Sequence, residues 1–335
     1  MIELIKLISN EIKKIMLKKK LLLVLAILLV EIIAFAYGEN NTNKKTQANF
    51  TKSQSANYNW NPIIKQQIQT LNNKLNFKNL KDSDRKSIEI QIDQYNYYLK
   101  NNINPLGTSA AKFTGTLMQE SATMLLPLLI IIFAGDSVSG EFSGRTIKVL
   151  LTRAVPRWKI LMSKFLSIII ISAVVVVETA VISLIVSKIT FHNWGFMEPL
   201  ATGFKVSGGK IDASNIMEIY QWQYLLLIYS LGFFIAIVIA SISFSISIFV
   251  KNTAASISIM MAALIGGSIL QLFIDDWPFA KYFFSVNLRL PQYLTGSFKV
   301  VDGMNLTFSM MVLSVWAVVA LIAGILVFYK QDVLV

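Results

Sequence analysis

The strongest constraint on the fold of this chain is a series of six long apolar runs. Each approaches or exceeds the roughly 20 residues that an α-helix needs to cross a bilayer core of about 30 Å. Of the 335 residues, 54% are hydrophobic and 15% are charged, and the mean hydropathy is +0.57. Soluble domains carry more charge, about 25%. The sequence therefore predicts an all-α polytopic membrane protein with six transmembrane helices, at residues 21–37, 117–135, 160–187, 224–250, 253–274 and 306–329.

The composition argues against several kinds of chemistry. Cysteine is absent, which excludes disulfides and thiolate metal sites, and the single histidine, His192, lacks the partners of a zinc site or a catalytic triad. The chain has no GxxxxGK[ST] sequence, because Gly208-Gly209-Lys210 is followed by Ile211. We therefore expect no catalytic residue, no metal, no cofactor and no ATP site in this chain. Its net charge of +12 favours contact with anionic membrane lipids over nucleic acid.

The distribution of basic residues predicts the orientation. Six lysines lie in residues 1–20, and five Lys or Arg follow the second apolar run. Because short loops rich in Lys and Arg stay in the cytoplasm, both termini are expected to be cytoplasmic. The first run lacks a small-residue cleavage site and is interpreted as an uncleaved anchor. The predicted regions outside the bilayer are a cytoplasmic interfacial helix (1–20), an extracellular domain (38–116), a cytoplasmic loop (136–159), two extracellular loops (188–223 and 275–305) and a cytoplasmic tail (330–335).

Two of these regions show helical periodicity. Residues 1–20 carry one apolar face and one lysine face, which predicts an amphipathic helix on the inner leaflet; a simple charge cluster beside the membrane is the alternative. In the extracellular domain, residues 40–58 look loose, and two helices are predicted after them, beginning near Pro62 and near Asp82. The two helices form an antiparallel hairpin or, alternatively, a partly ordered tether. The segment Ser207-Gly208-Gly209-Lys210 indicates a β-hairpin. The apolar positions that carry the helix predictions are Ile5, Ile8, Ile12, Ile15, Met16, Ile63, Ile64, Ile68, Leu71, Leu75, Ile88, Ile92, Tyr95 and Leu99.

The loop between the second and third apolar runs carries the most informative local pattern. Ser143 or Thr146 can cap a short helix, and Pro156 ends it. This helix would present apolar residues beside basic ones on the cytoplasmic face. Such a helix suits docking into the groove of a partner protein, or it lies on lipid; the residues alone leave both open.

At residues 140–164 the sequence resembles the permease subunits of ABC transporters of the type-2 exporter family. Their loop has the pattern G-E-x-x-x-G-T-I-K-x-L-L-x-x-P-x-S-R-x-x-I-L-x-x-K. Three positions depart from it, with Arg145 in place of Gly, Ala154 in place of Pro and Pro156 in place of Ser. The whole-chain organisation is similar to a subset of that family with a large extracellular insertion between the first two spans. The matching residues are Gly140, Glu141, Thr146, Ile147, Lys148, Leu150, Leu151, Arg157, Ile160, Leu161 and Lys164.

The resemblance implies a half-transporter that pairs with a second permease chain, identical or related, and binds two cytoplasmic ABC ATPase subunits, which hold ATP and Mg. It implies location in a bacterial cell membrane and export of an amphipathic substrate such as a drug, an antimicrobial peptide or a lipid-like molecule. The segment 1–20 would be the connecting helix and the loop the coupling helix. The residues expected to couple to the ATPase are Glu141, Thr146, Ile147, Lys148, Leu150, Leu151, Arg153 and Arg157.

Two acidic residues and a row of small residues stand out within the apolar runs. Glu31 and Glu178 lie near mid-span, where a carboxylate costs about 2.5–3.5 kcal/mol, so they either line a translocation path or are hydrogen-bonded packing residues. Small residues recur every four positions in the fifth run and predict close helix packing, at a dimer seam or an internal contact. Pro127 is expected to kink the second span. The small residues are Ala254, Ser258, Ala262 and Gly266.

Other functions compete with export. An ABC-type mechanotransmitter would use the same ATPase docking to move the outer helical domain against an extracellular partner. An ion-coupled carrier would show internal repeats, and the sequence shows no convincing one. A membrane enzyme that modifies lipids ranks last, because no set of catalytic residues is visible.

Overall fold

A computed structural model describes residues 2–51, 60–77, 80, 82–147, 155–207, 210–212, 216–273, 277–296 and 303–330. These residues are mostly helical, which confirms the all-α prediction at the level of fold class. The helices are α1 (Ile2–Leu17), α2 (Lys20–Thr51), α3 (Asn61–Leu75), α4 (Asp82–Lys100), α5 (Ala110–Ser121), α6 (Leu125–Ala134), α7 (Ser139–Ser143), α8 (Arg157–Phe191), α9 (Gln221–Phe249), α10 (Thr253–Leu270), α11 (Leu290–Thr295) and α12 (Leu306–Lys330). Short 3-10 helices cover Gln271–Phe273, Pro278–Tyr282 and Phe284–Leu288.

Five helices in the described part of the chain are long and apolar enough to cross a membrane: α2, α8, α9, α10 and α12. The second predicted span is instead broken into α5 and α6, which are bent by 61° relative to each other. The break falls at residues 122–124, just before Pro127. Proline removes one backbone donor and its ring clashes with the carbonyl four residues earlier, here that of Thr123. The described residues therefore contain five continuous candidate spans, or six if the bent pair crosses as one.

Helix α9 forms the centre of the bundle. It packs against α5, α6, α8, α10, α11 and α12, and its buried side chains include four serines at alternate positions. By contrast, α2, α10 and α12 leave many large apolar side chains exposed, among them Leu22, Val30, Ile265 and Ile322. Exposed apolar faces of this extent are typical of surfaces that meet lipid or another chain. The length and apolar composition of these helices indicate a membrane location.

The polar segment after the first span is more ordered than expected. Residues 40–51 continue α2 without a break, where the sequence predicted a loose segment for 40–58. A helix that is already nucleated gains one hydrogen bond for each added residue, so a polar extension can stay helical. Residues 52–59 lie outside the described part of the chain. After them, α3 begins with Pro62 in its first turn and packs against α4.

Four short strands complete the fold. They are β1 (Pro199–Thr202), β2 (Lys205–Ser207), β3 (Lys210–Asp212) and β4 (Met217–Tyr220). The β1 strand pairs with β4 and β2 pairs with β3, both antiparallel. The β2–β3 pair forms at the position of the predicted hairpin, whose turn residues 208–209 lie outside the described residues.

Contacts between elements define two groups at the ends of the helices. The α1 face comprises α1, α7, the loop around it, and the ends of α8, α9 and α10 that contact them. The hairpin face comprises α3, α4, the four strands, α11 and the adjoining ends of α5 and α9.

Candidate functional site

A buried ion cluster joins three distant parts of the chain at the α1 face. The Glu141 side chain is 4% exposed and accepts hydrogen bonds from Lys14, Lys164 and the Thr146 hydroxyl. Lys164 is equally buried, at 3%, with its Nζ 3.0 Å from Glu141 Oε1 and 2.9 Å from Glu11 Oε2. The carboxylate of Glu141 therefore connects α1, the loop after α6 and the first turns of α8.

A second carboxylate repeats this arrangement one turn away. Asp136 Oδ2 lies 2.7 Å from Lys18 Nζ and 2.6 Å from Lys20 Nζ. Its other oxygen accepts a hydrogen bond of 3.2 Å from the Thr253 hydroxyl at the start of α10. Asp136 thus connects the α1–α2 junction to α10 across the end of α6.

Helix α1 is attached along the beginning of α8 by further ion pairs. Lys159 Nζ lies 2.7 Å from Glu3 Oε2, in an exposed pair one end of which is 52% accessible. The other pair is that of Lys164 with Glu11, which is mostly buried. Ser167 also donates a hydrogen bond of 3.3 Å to the Ile8 carbonyl. Because an exposed pair contributes little and a buried one strongly resists loss of one partner, Lys164 dominates this attachment.

The short helix α7 is held by a serine of the central helix. The Ser247 hydroxyl accepts hydrogen bonds from the backbone N–H groups of Val138 and Ser139, at 3.0 and 2.8 Å. These N–H groups would otherwise be unsatisfied at a helix start. Ser143 at the other end of α7 accepts a hydrogen bond from the Thr253 backbone N–H and contacts the Lys251 carbonyl. The loop is therefore fixed to α9 and α10, as well as to α1 and α8.

The electrostatics of the cluster keep its carboxylates ionised. Burial alone would raise the pKa of Glu141, but the charge of Lys164 and the hydrogen bonds from Lys14, Thr146 and Lys164 outweigh it and lower the pKa to about 2. For Asp136, burial is likewise outweighed by Lys18 and Lys20, and its pKa is lowered. A carboxylate with so low a pKa is a poor general base near neutral pH. The cluster is suited to holding elements together and transmitting their movement.

A cavity of about 240 Å³ lies among these charged groups, bordered by Lys14, Lys18, Lys20, Asp136, Glu141 and Lys164. Its lining is dominated by ion pairs that the chain already satisfies. Among the residues that the structure describes, no three His, Cys, Asp or Glu side chains come close enough together to hold a metal ion.

The residues predicted to couple to an ATPase fall into three groups. Glu141 and Ile147 are buried, at 4% and 6% exposed, and Thr146, which is exposed, donates a hydrogen bond to Glu141. Arg157 begins α8 and its Nη1 lies 3.5 Å from the Tyr329 carbonyl at the end of α12. Lys148, Leu150, Leu151 and Arg153 lie outside the described residues. The described residues of this predicted set therefore hold the loop in place through contacts with other parts of the same chain.

Arg145 has an unusual backbone conformation. Its φ of +57° lies in the left-handed region that favours glycine. It follows the end of α7 at Gly144, and its side chain is exposed. This is the position at which the resembled family pattern has Gly, so the departure of the sequence occurs at a strained position.

Sequence reasoning missed several members of the ion cluster. Asp136 and Glu11 are not among the predicted site residues, Ser247 is expected only to bond to carbonyls or to neighbours as one of four alternating serines, and the N-terminal lysines are expected at lipid headgroups. The sequence does contain a signal for Asp136. This acidic residue directly follows the second apolar run, and six lysines precede the first, so the two groups could form ion pairs. No sequence spacing indicates that Ser247 caps α7, because the two are 108 residues apart.

The two intramembrane glutamates are not brought together by a described contact. Glu31 is exposed on α2. Glu178 on α8 is partly buried, and its Oε2 has no hydrogen-bond partner within the described chain. The helices that carry them, α2 and α8, pack against each other.

The row of small residues on α10 faces outward. Ala254, Ser258 and Ala262 are exposed, and a Cβ added at Gly266 would meet nothing within 4 Å. Gly267 next to it is the buried glycine, packed against Ser285. Within the described part of the chain, the row is therefore not buried in an internal contact.

Comparison with known proteins shows similarity to two proteins of one bacterium, one of which is named a membrane protein. The chain is 26% identical over 339 residues to "Uncharacterized protein YhcI" of Bacillus subtilis (strain 168), covering 98% of this chain and 99% of that one. It is 24% identical over 216 residues to "Uncharacterized membrane protein YdbK" of the same organism, covering 64% of this chain and 80% of the relative. A family model described as "Protein of unknown function (DUF2705)" matches residues 83–334. Because this match covers most of the sequence, the chain belongs to the DUF2705 family.

Proposed function

We propose that this chain is the permease subunit of an ATP-binding-cassette exporter in a bacterial cell membrane, driven by separate cytoplasmic ATPase subunits. The observation that carries the proposal is the buried pair of Glu141 and Lys164, which connects the loop after α6 to α1 and to α8. Through these ion pairs, movement of this loop would be passed to α1 and to the candidate membrane-spanning helix α8. A subunit moved by an external ATPase requires such a connection.

The similarity of residues 140–164 to type-2 exporter permeases supports the same proposal. Under it the α1 face is cytoplasmic, α1 is the connecting helix, and the loop that includes Leu150 and Leu151 is the coupling helix. The positive charge of this face agrees with that orientation. ATP and Mg would be held by the ATPase, and this chain would contribute none of their ligands.

The exposed membrane faces support pairing with a second permease chain. The small residues of α10 are open to a neighbour, which permits close approach of another helix backbone. Under this proposal the substrate is amphipathic, because the pathway between two such chains would be bordered by apolar helices and by a few polar groups. Glu31 and Glu178 are the candidates for those polar groups. Glu31 is exposed on α2, and Glu178 has a buried carboxylate oxygen without a partner among the described residues, which is costly.

Mechanotransmission is the second candidate function, and the packing of the outer helices favours it. The Gln94 side chain of α4 donates a hydrogen bond of 3.1 Å to the Thr295 carbonyl of α11. The Thr202 hydroxyl donates one of 2.7 Å to the Leu294 carbonyl. Since α11 contacts α9 and α12, movement of the bundle would be passed to the outer hairpin.

Co-purification with a candidate ATPase tests the proposal. The chain and the ATPases encoded beside it would be expressed together, and ATP hydrolysis measured in nanodiscs. We expect a complex whose hydrolysis the permease stimulates, and we expect Leu150→Asp to abolish that stimulation, because it places a charge on the predicted docking surface. Met217→Asp is the control, since Met217 is 62% exposed on the hairpin face. A permease that purifies alone beside abundant ATPase contradicts the proposal, as does equal stimulation by Leu150→Asp.

A further inference from the structure

A second cavity, of about 470 Å³, lies at the hairpin face and is separate from the ion cluster. Its walls come from the end of α4 and the segment after it, from α5, from β1 and from the start of α9. Its volume is within the range of about 300–1,000 Å³ that is usual for small-molecule sites. Elements from four distant parts of the sequence thus converge on one partly open cavity.

One buried polar group in this cavity lacks a partner. Gln221 is 3% exposed and lines the cavity, and its Oε1 has no hydrogen bond within the described residues. The backbone N–H of Gln221 is used, because it donates to the Glu198 carbonyl at 3.0 Å. An orphaned buried acceptor costs about 1–3 kcal/mol, so a ligand that donates a hydrogen bond here would be favoured.

The charges that line the cavity are balanced by the chain itself. Lys112 donates to the carbonyls of Pro105 and Gly107, the second at 2.8 Å. Both oxygens of Glu198 accept hydrogen bonds, from Ser109 and from Asn193, at 2.9 and 2.8 Å. One ammonium and one carboxylate leave no net charge. A charged ligand would add an unbalanced charge to this space, whereas a neutral one would not.

The remaining hydrogen-bonding capacity fits a ligand that both donates and accepts. Lys112 carries three N–H donors and uses two of them in the described part of the chain, so one can be given to a ligand carbonyl. Gln221 Oε1 requires an N–H or O–H. A neutral amide supplies a carbonyl and an N–H in one planar unit. Apolar walls at Ile103 and Leu200 suit an attached hydrocarbon group.

We propose that this cavity binds a small neutral amide, whose N–H donates to Gln221 Oε1 and whose carbonyl faces Lys112. The site belongs to this chain alone. It needs neither an ATPase nor a second permease chain, and it goes beyond the proposed function of the α1 face. Its failure and the failure of the export proposal are therefore separate results.

Ligand-observed saturation-transfer NMR on the purified full chain in nanodiscs tests the site. The probe is N-acetyl-leucinamide, and the matched probe is its analogue with every amide N–H methylated. We expect saturable binding of the first probe and a loss of at least about tenfold for the second, because only the first can donate to Gln221. Absence of saturable binding of the first probe, or equal binding of both probes, overturns the proposal. This test uses the unmodified protein and needs no variant.

Two variants locate the binding. Gln221→Met keeps the side-chain length and removes the acceptor, and should weaken the first probe at least about tenfold while leaving the melting temperature unchanged or higher. Gln66→Met makes the same change at an exposed position of α3 and should bind normally. Thr116→Phe fills the cavity and should also prevent binding. Binding that survives both Gln221→Met and Thr116→Phe overturns the assignment.

Discussion

The two faces of the helix bundle are held together by different forces. At the α1 face, ion pairs connect elements more than 100 residues apart, as between Lys14 and Glu141 or Lys18 and Asp136. At the hairpin face, neutral hydrogen bonds and aromatic contacts dominate, such as Tyr97 and Tyr98 packed edge-on against Phe204. Buried ion pairs resist the loss of one partner strongly, whereas a single neutral hydrogen bond contributes about 1 kcal/mol. The α1 face should therefore behave as one rigid junction and the hairpin face as a sum of small contacts.

The largest expected effect is that of Lys164→Met. The substitution leaves Glu141 and Glu11 without their buried partner and should lower the free energy of unfolding by about 3–5 kcal/mol. Thermal unfolding in detergent would measure it, with Lys188→Met near the other end of α8 as the matched control, which should change little. Adding Glu141→Gln should restore part of the loss, because it removes the unpaired charge. A melting temperature equal to that of the control would show that the cluster is not a junction.

Lowering the pH should remove the contribution of Glu141 to the free energy of unfolding. Its pKa is lowered from 4.5 to about 2 in the folded chain. A carboxylate with a lowered pKa contributes stability that is full above its unfolded pKa and is lost as the pH falls through its folded pKa. The stability difference between wild type and Glu141→Gln should thus be constant near neutral pH and shrink from about pH 4.5 towards about pH 2. Melting curves across this range would test it, and a difference independent of pH would contradict the ionised state of Glu141.

A smaller effect is expected on the hairpin face. Gln94→Leu removes the hydrogen bond to the Thr295 carbonyl and should cost about 0.5–1.5 kcal/mol, with no dependence on salt. Hydrogen exchange of α4 and α11 should rise, while that of α7 should stay unchanged. Glu89→Ala on the exposed side of α4 is the control. A loss as large as that of Lys164→Met would remove the distinction between the two faces.

The smallest expected effect has the opposite sign. Arg145→Gly relieves a left-handed backbone, which costs other residues about 1–2 kcal/mol, but it also adds freedom to the unfolded chain. We expect the free energy of unfolding to rise by up to about 1 kcal/mol, which thermal unfolding would show as a higher melting temperature. Arg145→Ala is the control and should give no gain in stability. Arg157→Gly does not test the same effect, because Arg157 lies in a helix. A loss of stability in Arg145→Gly would mean that the arginine side chain holds the loop.

The sequence predicts the parts of this chain that depend on local pattern. Apolar runs predict the five long apolar helices, and Pro127 indicates a break in the second run, although the break lies at residues 122–124. Contacts between distant segments could not be predicted in this way. In the sequence, a lysine that pairs with Asp136 or Glu141 cannot be distinguished from one that contacts lipid headgroups. Position in the sequence does not reveal which acidic group the flexible side chains of Lys14, Lys18 and Lys20 will meet. The orphaned oxygen of Gln221 likewise becomes visible only when four segments enclose it.

The proposed docking of an ATPase at the α1 face can be detected by site-specific photo-crosslinking. A benzophenone amino acid would replace Trp158, which is 49% exposed at the start of α8, or Trp222, which is 41% exposed at the start of α9 on the hairpin face. Both replace one large exposed aromatic residue with another, in cells that express the neighbouring ATPases. The account predicts a permease–ATPase crosslink from position 158 and none from position 222. A crosslink from position 222, or none from position 158 when the ATPase is present, would contradict it.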